Sequence, residues 1–230
     1  MLYRTDFDEN GRKTLCQMDG VNADMLMDIF VQKLAPGDTL TLEEAEKECA
    51  VLLLSGQVTF AVGNSINETC RRKNPFEKKP YAVHFCRGTK ATVTAIEGSQ
   101  VLVQMTDNDR TWAPEFYHPG NCLYQEFGKG QWNGTGHRIV STMFDLDNAP
   151  QSNLVMGEVF NQPGRWSSYP PTTTPNRRCT TTSLITRKAS APGLRATPLI
   201  KHKTVTACAF GAATPTSRSP LPGTKCIMYG

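Results

Sequence analysis

Apolar residues recur at every second position along this chain, in short runs broken by turn residues. "MDIFVQKLAPGDTLTLE" (Met27 to Glu43) gives an apolar-rich strand, a turn at Pro36–Gly37–Asp38, and a strand alternating threonine with leucine. "CAVLLLSGQVTFAVG" (Cys49 to Gly63) gives a buried run, a turn at Ser55–Gly56 and a second alternating strand. "YAVHFCRGTKATVTAIEGSQVLVQMT" (Tyr81 to Thr106) repeats the arrangement, with turns at Arg87–Gly88 and Glu97–Gly98. Only "LEEAEKECA" (Leu42 to Ala50) reads as a turn or two of helix, and no long window carries a 3.6-residue period. The pattern predicts an all-β sandwich or closed barrel.

After Trp112 the pattern loosens into a connection rich in glycine and aromatics. Strand character returns at "HRIVSTMFDL" (His137 to Leu146) and "NLVMGEVFN" (Asn153 to Asn161). A second β unit thus begins, which divides the chain into residues 1–123 and 124–171. From Thr172 the periodicity stops. Residues 172–230 hold 13 Thr and 6 Pro, with Phe210 and Tyr229 the only aromatics, the composition of an unstructured tail.

Charge sharpens that boundary. The net charge of +4 conceals a split: all 21 acidic residues and 16 of the 25 Lys/Arg precede residue 172, while the tail has 9 Lys/Arg and no acid. A basic tail invites a nucleic-acid reading. It lacks clustered basic residues and aromatics spaced for stacking, so no nucleic-acid partner is expected. No run approaches the roughly 18 apolar residues of a membrane span, and acids stand where a signal peptide would be apolar. These features imply a soluble, cytoplasmic protein, with the Asn67 and Asn133 sequons as chance matches. Eight scattered cysteines without a CxxC read as free thiols.

Three stretches carry a resemblance. "PYAVHFCRGTKATVTA" (Pro80 to Ala95), "TDNDRTWAPEFY" (Thr106 to Tyr117) and "GKGQWNGTGHRIVSTMFDLDNAPQSNLVMGEVFNQPGRWSSYPP" (Gly128 to Pro171) are similar to the IolB/KduI family of two-cupin isomerases. The resemblance covers about residues 25–171. It implies tandem cupin (jelly-roll) barrels; the first, without an H-x-H of its own, reads as a structural and dimer-forming module, the homo-oligomer thus being an expectation from that module alone. It also implies isomerisation of a small acidic sugar, 5-deoxy-glucuronate, to 2-deoxy-5-keto-gluconate in inositol catabolism. In the family a divalent metal, usually zinc, sits in the second cupin on an H-x-H immediately after "SSYPP", a downstream glutamate and a later histidine.

This chain departs from the family at that point. The H-x-H position holds Thr172, Thr173 and Thr174, and no glutamate follows. A neutral hydroxyl is a poor zinc ligand, so this chain is expected to bind no metal and to be inactive as written. Back-translation offers an explanation. If the codons for Pro171 to Thr174 end in C, reading one base earlier gives His-His-His-Pro. Allowed codons onward to Cys179 then give Gln-Pro-Glu-Val-Tyr. "KCIMYG" (Lys225 to Gly230), shifted the same way, permits Met-Tyr-Tyr-Val-Trp, similar to the family's closing strand. The tail therefore reads as an out-of-frame translation of the second cupin, which would be left incomplete, with open apolar edges and poor solubility. The alternative is an authentic tail on an inactive cupin remnant.

Candidate substrate-binding residues are Arg165, Ser168 and Tyr169 in "GRWSSYPP". Arg165 suits a bidentate carboxylate contact, or equally a structural pairing with Glu158 or a backbone carbonyl. Trp166 reads as core packing. Asn108, Asp109 and Arg110 read as a turn with a salt bridge, and His84 as a satisfied strand histidine. His118 and His137 lack partners at ligand spacing.

Overall fold

A computed structural model describes residues 5–76, 80–162 and 165, together with the backbone of 2–3, 178–186, 204–209 and 224–229. The chain forms two compact units. The N-terminal unit comprises Thr5–Leu123 and Ser141–Gly157; the C-terminal unit comprises Met1–Arg4, Tyr124–Val140 and Glu158–Gly230. The segment 141–157 therefore returns to the first unit after the chain has started the second.

Strand β1 (Leu2–Tyr3) belongs to the C-terminal unit. The N-terminal unit contains β2 (Arg12–Cys16), β3 (Asp28–Leu34), β4 (Thr39–Leu42), β5 (Lys47–Val62), β6 (Ile66–Arg72), β7 (Ala82–Phe85), β8 (Ala91–Ala95), β9 (Ser99–Asp107) and β10 (Glu115–Tyr117). These nine strands form one sheet that folds back on itself through β5. The first half of β5 pairs with β7 and β9, running in the order β10-β7-β5-β9-β3-β2, while its second half pairs with β6 and β8.

Ser55–Gly56, read from sequence as a turn, is instead the bend in one continuous strand. The register to β9 slips between Leu53 and Ser55. Gly56 has φ +101°, and a Cβ there would lie 2.2 Å from Ser99 Oγ and 2.6 Å from Ser99 Cα. Only glycine permits the strand to turn the corner and leave one sheet for the other. "LEEAEKECA" also departs from its helical reading: Lys47 to Ala50 open β5, hydrogen-bonded to β9 from Lys47 and to β7 from Cys49. Pairing on both sides overrides a helical preference built on Glu, Lys and Ala. The Pro36–Gly37 turn closes with Asp38 N donating to Ala35 O at 3.0 Å, as its sequence predicts.

One face of the folded sheet makes the core. Phe30, Val51, Val58, Phe60, Val83, Val93, Val101 and Val103 are buried against one another. β-branched and aromatic residues at alternating positions explain both the strands and the packed face. Burial raises the Cys49 and Cys70 thiols to about 12, consistent with free structural thiols.

The C-terminal unit draws on β11 (Leu123–Phe127) from Tyr124, β12 (Arg138–Phe144) as far as Val140, β13 (Met156–Asn161) from Glu158, and β14 (Arg178–Thr186), β15 (Thr204–Ala209) and β16 (Thr224–Tyr229). They form a seven-stranded sheet in the order β1-β15-β14-β16-β13-β12-β11. Segments of the Thr-rich tail thus run as extended backbone, which β-branched residues favour. β16 occupies the edge of β13, pairing Glu158 with Tyr229 and Asn161 with Cys226 in register. Other parts of the tail, Thr172 to Arg177 among them, lie outside the described residues. In the described residues, no helix is long and apolar enough to cross a membrane.

Candidate functional site

The sequence places its candidate residues just after β13. Arg165 is partly buried, and its backbone N donates to Gln162 O at 3.0 Å. Its guanidinium Nη1 donates to the carbonyl of Asn133 at 2.8 Å. This is the backbone-carbonyl pairing that the sequence left open. Among the described residues this carbonyl is the partner seen for the guanidinium, one of whose five donors it engages. Ser168, Tyr169, Trp166 and Thr172 to Thr174 lie outside the described residues.

Arg165 holds a loop of unusual backbone. Trp132, Asn133 and Gly134 have φ of 45°, 53° and 70° in succession, and Trp132 is 54% exposed. A bulky residue at positive φ is uncommon and is held by its surroundings. Here Gly134 N donates to Gln131 O at 2.7 Å and Thr135 N to Trp132 O at 3.0 Å. The loop closes at its base, where a Cβ on Gly128 would lie 2.6 Å from Gly136 O. Beside it, Glu126 accepts from Lys129 Nζ at 3.0 Å and pairs with His137 Nε2 at 2.6 Å. Lys129 first, then His137, draw the Glu126 carboxyl below its ordinary range.

A second polar cluster lies in the N-terminal unit. His84 on β7 is fully buried, its Nε2 3.1 Å from Glu48 Oε2 on β5. The imidazole stacks on Phe144 at 4.2 Å between centroids, with 4° between the planes, and meets Trp112 at 5.1 Å. Asn153 N donates to Glu48 Oε1 at 2.6 Å, and Ser152 Oγ donates to Glu48 Oε2 at 3.0 Å. A serine, a histidine and a glutamate thus meet at one point. Ser152 Oγ and Glu48 Oε2 meet the same ring nitrogen of His84, Nε2, at 3.4 and 3.1 Å, and Nδ1 has no hydrogen-bond partner among the described residues, so no serine–histidine–carboxylate chain exists. With Glu48 and His84 both without solvent exposure, the cluster fastens the returning segment to its unit.

His84 was legible as a strand histidine rather than a ligand, but it is only half satisfied: Nε2 meets Glu48 while the buried Nδ1 has no hydrogen-bond partner among the described residues. Glu48, Ser152 and Asn153 were not legible. Nothing in "KECAVLLL" shows that Glu48 faces a segment more than a hundred residues away. Asn108 builds the expected turn, its Oδ1 accepting Arg110 N at 2.9 Å, and Arg110 Nη1 donates to the Pro150 carbonyl at 3.1 Å. Asn108 Nδ2 donates to Gln151 O at 2.9 Å, so both residues also hold the returning segment. His118 accepts from Gly120 N through Nδ1.

The sequence profile of the KduI/IolB family matches residues 1–183. The chain belongs to that family. The 5-deoxy-glucuronate isomerase of Bacillus licheniformis is 26% identical over 165 residues, covering 70% of this chain and 59% of that protein. The same-named enzyme of Bacillus subtilis strain 168 is 25% identical over 166 residues, with the same coverages of 70% and 59%. That of Geobacillus kaustophilus is 28% identical over 143 residues, covering 61% and 50%. The chain therefore spans between half and three fifths of the length of these relatives. In three dimensions it is similar to an IolB-like protein from Salmonella typhimurium, with a TM-score of 0.70 at 17% identity, over 100% of this chain and 91% of that one. A cupin 2 conserved barrel domain protein from Leptotrichia buccalis matches at 0.53 and 11% identity, over 99% and 90%. These likenesses establish the cupin fold.

The family resemblance implies a metal. Among the described residues, no group of three His, Cys, Asp or Glu side chains is arranged to hold one. At the expected ligand position the chemistry is wrong: Thr172, Thr173 and Thr174 offer hydroxyls where a borderline cation needs imidazole, and residues 172–230 contain no carboxylate side chain. The donor set does not fit, and no reaction step is assigned to a metal.

Proposed function

We propose that this chain derives from an isomerase converting 5-deoxy-glucuronate to 2-deoxy-5-keto-gluconate in myo-inositol catabolism, and that as written it lacks that activity. The observation that carries the first half is the family match over residues 1–183, whose most specific block is "DNAPQSNLVMGEVFNQPGRWSSYPP". The second half rests on the threonines that stand in place of metal-binding histidines. Arg165 is the residue proposed to pair with the substrate carboxylate, with Ser168 and Tyr169 beside it. The N-terminal cupin is proposed to be a structural module, and the working enzyme a cytoplasmic homo-oligomer.

The tail is proposed to be an out-of-frame reading that begins near codon 171. What supports this is the sequence itself: all acidic residues stop before residue 172, and both ends of the tail back-translate, one base earlier, to segments similar to the family's second cupin. The test compares two proteins, the chain as written and a version with one base restored near codon 171. Metal content and conversion of 5-deoxy-glucuronate are measured in both. The restored protein is expected to hold stoichiometric zinc and to isomerise the uronate, and the chain as written to do neither. Stoichiometric zinc with turnover in the chain as written would overturn the proposal. Re-reading the source DNA across codons 169–182 separates a lost base from an authentic inactive remnant.

A further inference from the structure

Strand β2 buries a lysine. Lys13 and Leu15 point to one side of the strand and are 6% and 0% exposed, while Arg12 and Thr14 point to the other and are only partly covered. Across the ladder Lys13 stands beside Val31, itself buried, so the lysine stem lies on apolar surface. The chain before β2 folds back over this side. Thr5 Oγ1 donates to Thr14 O at 3.2 Å and Asp8 N to Arg12 O at 2.8 Å, which brings the Phe7 ring centre to 5.9 Å from Lys13 Nζ.

Other charged groups of this unit are paired where they leave water. Glu48 accepts from Ser152 and Asn153, and Lys47 holds Asp28 at 2.7 Å. Lys13 makes no hydrogen bond or ion pair among the described residues. The Phe7 ring is occupied by Lys33, whose Nζ lies 3.8 Å from its centre, and Lys13 is left near the limit at which a ring holds a cation. An amine that loses its water and gains no partner favours its neutral form, which is the nucleophile. Burial lowers the Lys13 ammonium from the ordinary lysine range, Asp6 raises it, and Lys33 lowers it. Asp6 and Lys33 are the charged groups that act on it from the segments packed against β2.

We propose that Lys13 is a carbon dioxide-binding lysine, converted reversibly to a carbamate beside Lys33. The Nζ lone pair forms a bond to the carbon of carbon dioxide, one C=O electron pair moves onto oxygen, and an N–H proton passes to water. A neutral amine becomes an N-carboxylate anion. Size selects the reagent: a side chain covered to this extent admits a small uncharged electrophile and excludes bulky aldehydes. Charge holds the product, since the new carboxylate forms next to the Lys33 ammonium. All these residues belong to the N-terminal unit, and the inference does not draw on the isomerase reading.

The experiment equilibrates the full chain with isotopically labelled bicarbonate slightly above neutral pH. Carbamates are read by carbon NMR and located by trapping with triethyloxonium and peptide mass. Lys13 is expected to carry the adduct at about fivefold or more the occupancy of the exposed Lys90. The two neighbours act with opposite sign. Lys33→Gln is therefore expected to lower the occupancy by about two- to fivefold, and Asp6→Asn to raise it by a similar factor. Both positions are exposed, so neither variant disturbs the core. Trace acetylation of the unmodified chain across pH needs no variant, and Lys13 is expected to become reactive at lower pH than Lys90. No adduct at Lys13, equal occupancy at Lys13 and Lys90, no loss in Lys33→Gln, a fall in Asp6→Asn, or coincident acetylation profiles would each overturn the proposal.

Discussion

Each unit carries a histidine–glutamate pair, and the two pairs do opposite work. His84–Glu48 in the N-terminal unit has no solvent exposure on either side chain, at 3.1 Å. His137–Glu126 in the C-terminal unit is closer, at 2.6 Å, yet its side chains are 24% and 38% exposed. Distance does not rank them. The buried carboxylate accepts three hydrogen bonds and ties together β5, β7 and the segment 152–153, whereas water replaces any partner lost by the exposed one. One pair fastens a fold; the other decorates a loop.

The largest expected effect comes from breaking the buried pair. Glu48→Ala leaves the buried His84 imidazole with only the Ser152 hydroxyl, 3.4 Å away, and takes the acceptor from the Asn153 N–H. It is expected to cost about 3–5 kcal/mol in urea unfolding. Loss of the 141–157 segment before the rest of the unit, seen by hydrogen exchange, would show that this glutamate is the clasp. Next is Gly56→Ala, which meets Ser99 and a positive φ together and is expected to cost about 1–3 kcal/mol. An unchanged midpoint would mean that the corner of β5 is softer than the 2.2 Å overlap implies. Ser152→Ala removes one donor from Glu48 and is expected to cost about 1 kcal/mol, less than Glu48→Ala by a margin that a double-mutant cycle would resolve.

The smallest effect falls on the exposed pair. Glu126→Gln is expected to lower the unfolding midpoint at neutral pH only slightly, the least of these changes. Because the Glu126 carboxyl is lowered in the folded protein, its small stabilisation is present above the unfolded pKa. It fades as pH falls through the folded value, below the ordinary carboxylate range. The difference between native protein and Glu126→Gln should therefore narrow on acidification. A widening difference would overturn this, since it would mean that the Glu126 carboxyl is not lowered in the folded protein.

The sequence made the strands legible because alternation and turn chemistry are local. Pro36–Gly37 and Arg87–Gly88 turn where they were expected to, and the apolar positions of β3, β8 and β9 line the core. What it hid were decisions made by distant partners. Ser55–Gly56 looks like a hairpin turn until Ser99 is seen to press on Gly56. Glu48 looks helical until Asn153 arrives. The return of 141–157 to the first unit has no local signature at all. The candidate site was legible in family motif rather than in geometry: Arg165 is placed, against the Asn133 carbonyl, while Ser168, Tyr169 and the three threonines lie beyond the described residues.

The last residue that the N-terminal unit draws upon is Gly157, upstream of codon 171. A ribosome translating this message has therefore delivered every part of that unit, Ser152 and Asn153 included, before the codons in question are read. In whichever frame those codons are read, the cell receives the same completed first half. A change of frame at those codons would alter residues of the C-terminal unit alone and leave every residue of the N-terminal unit as it is.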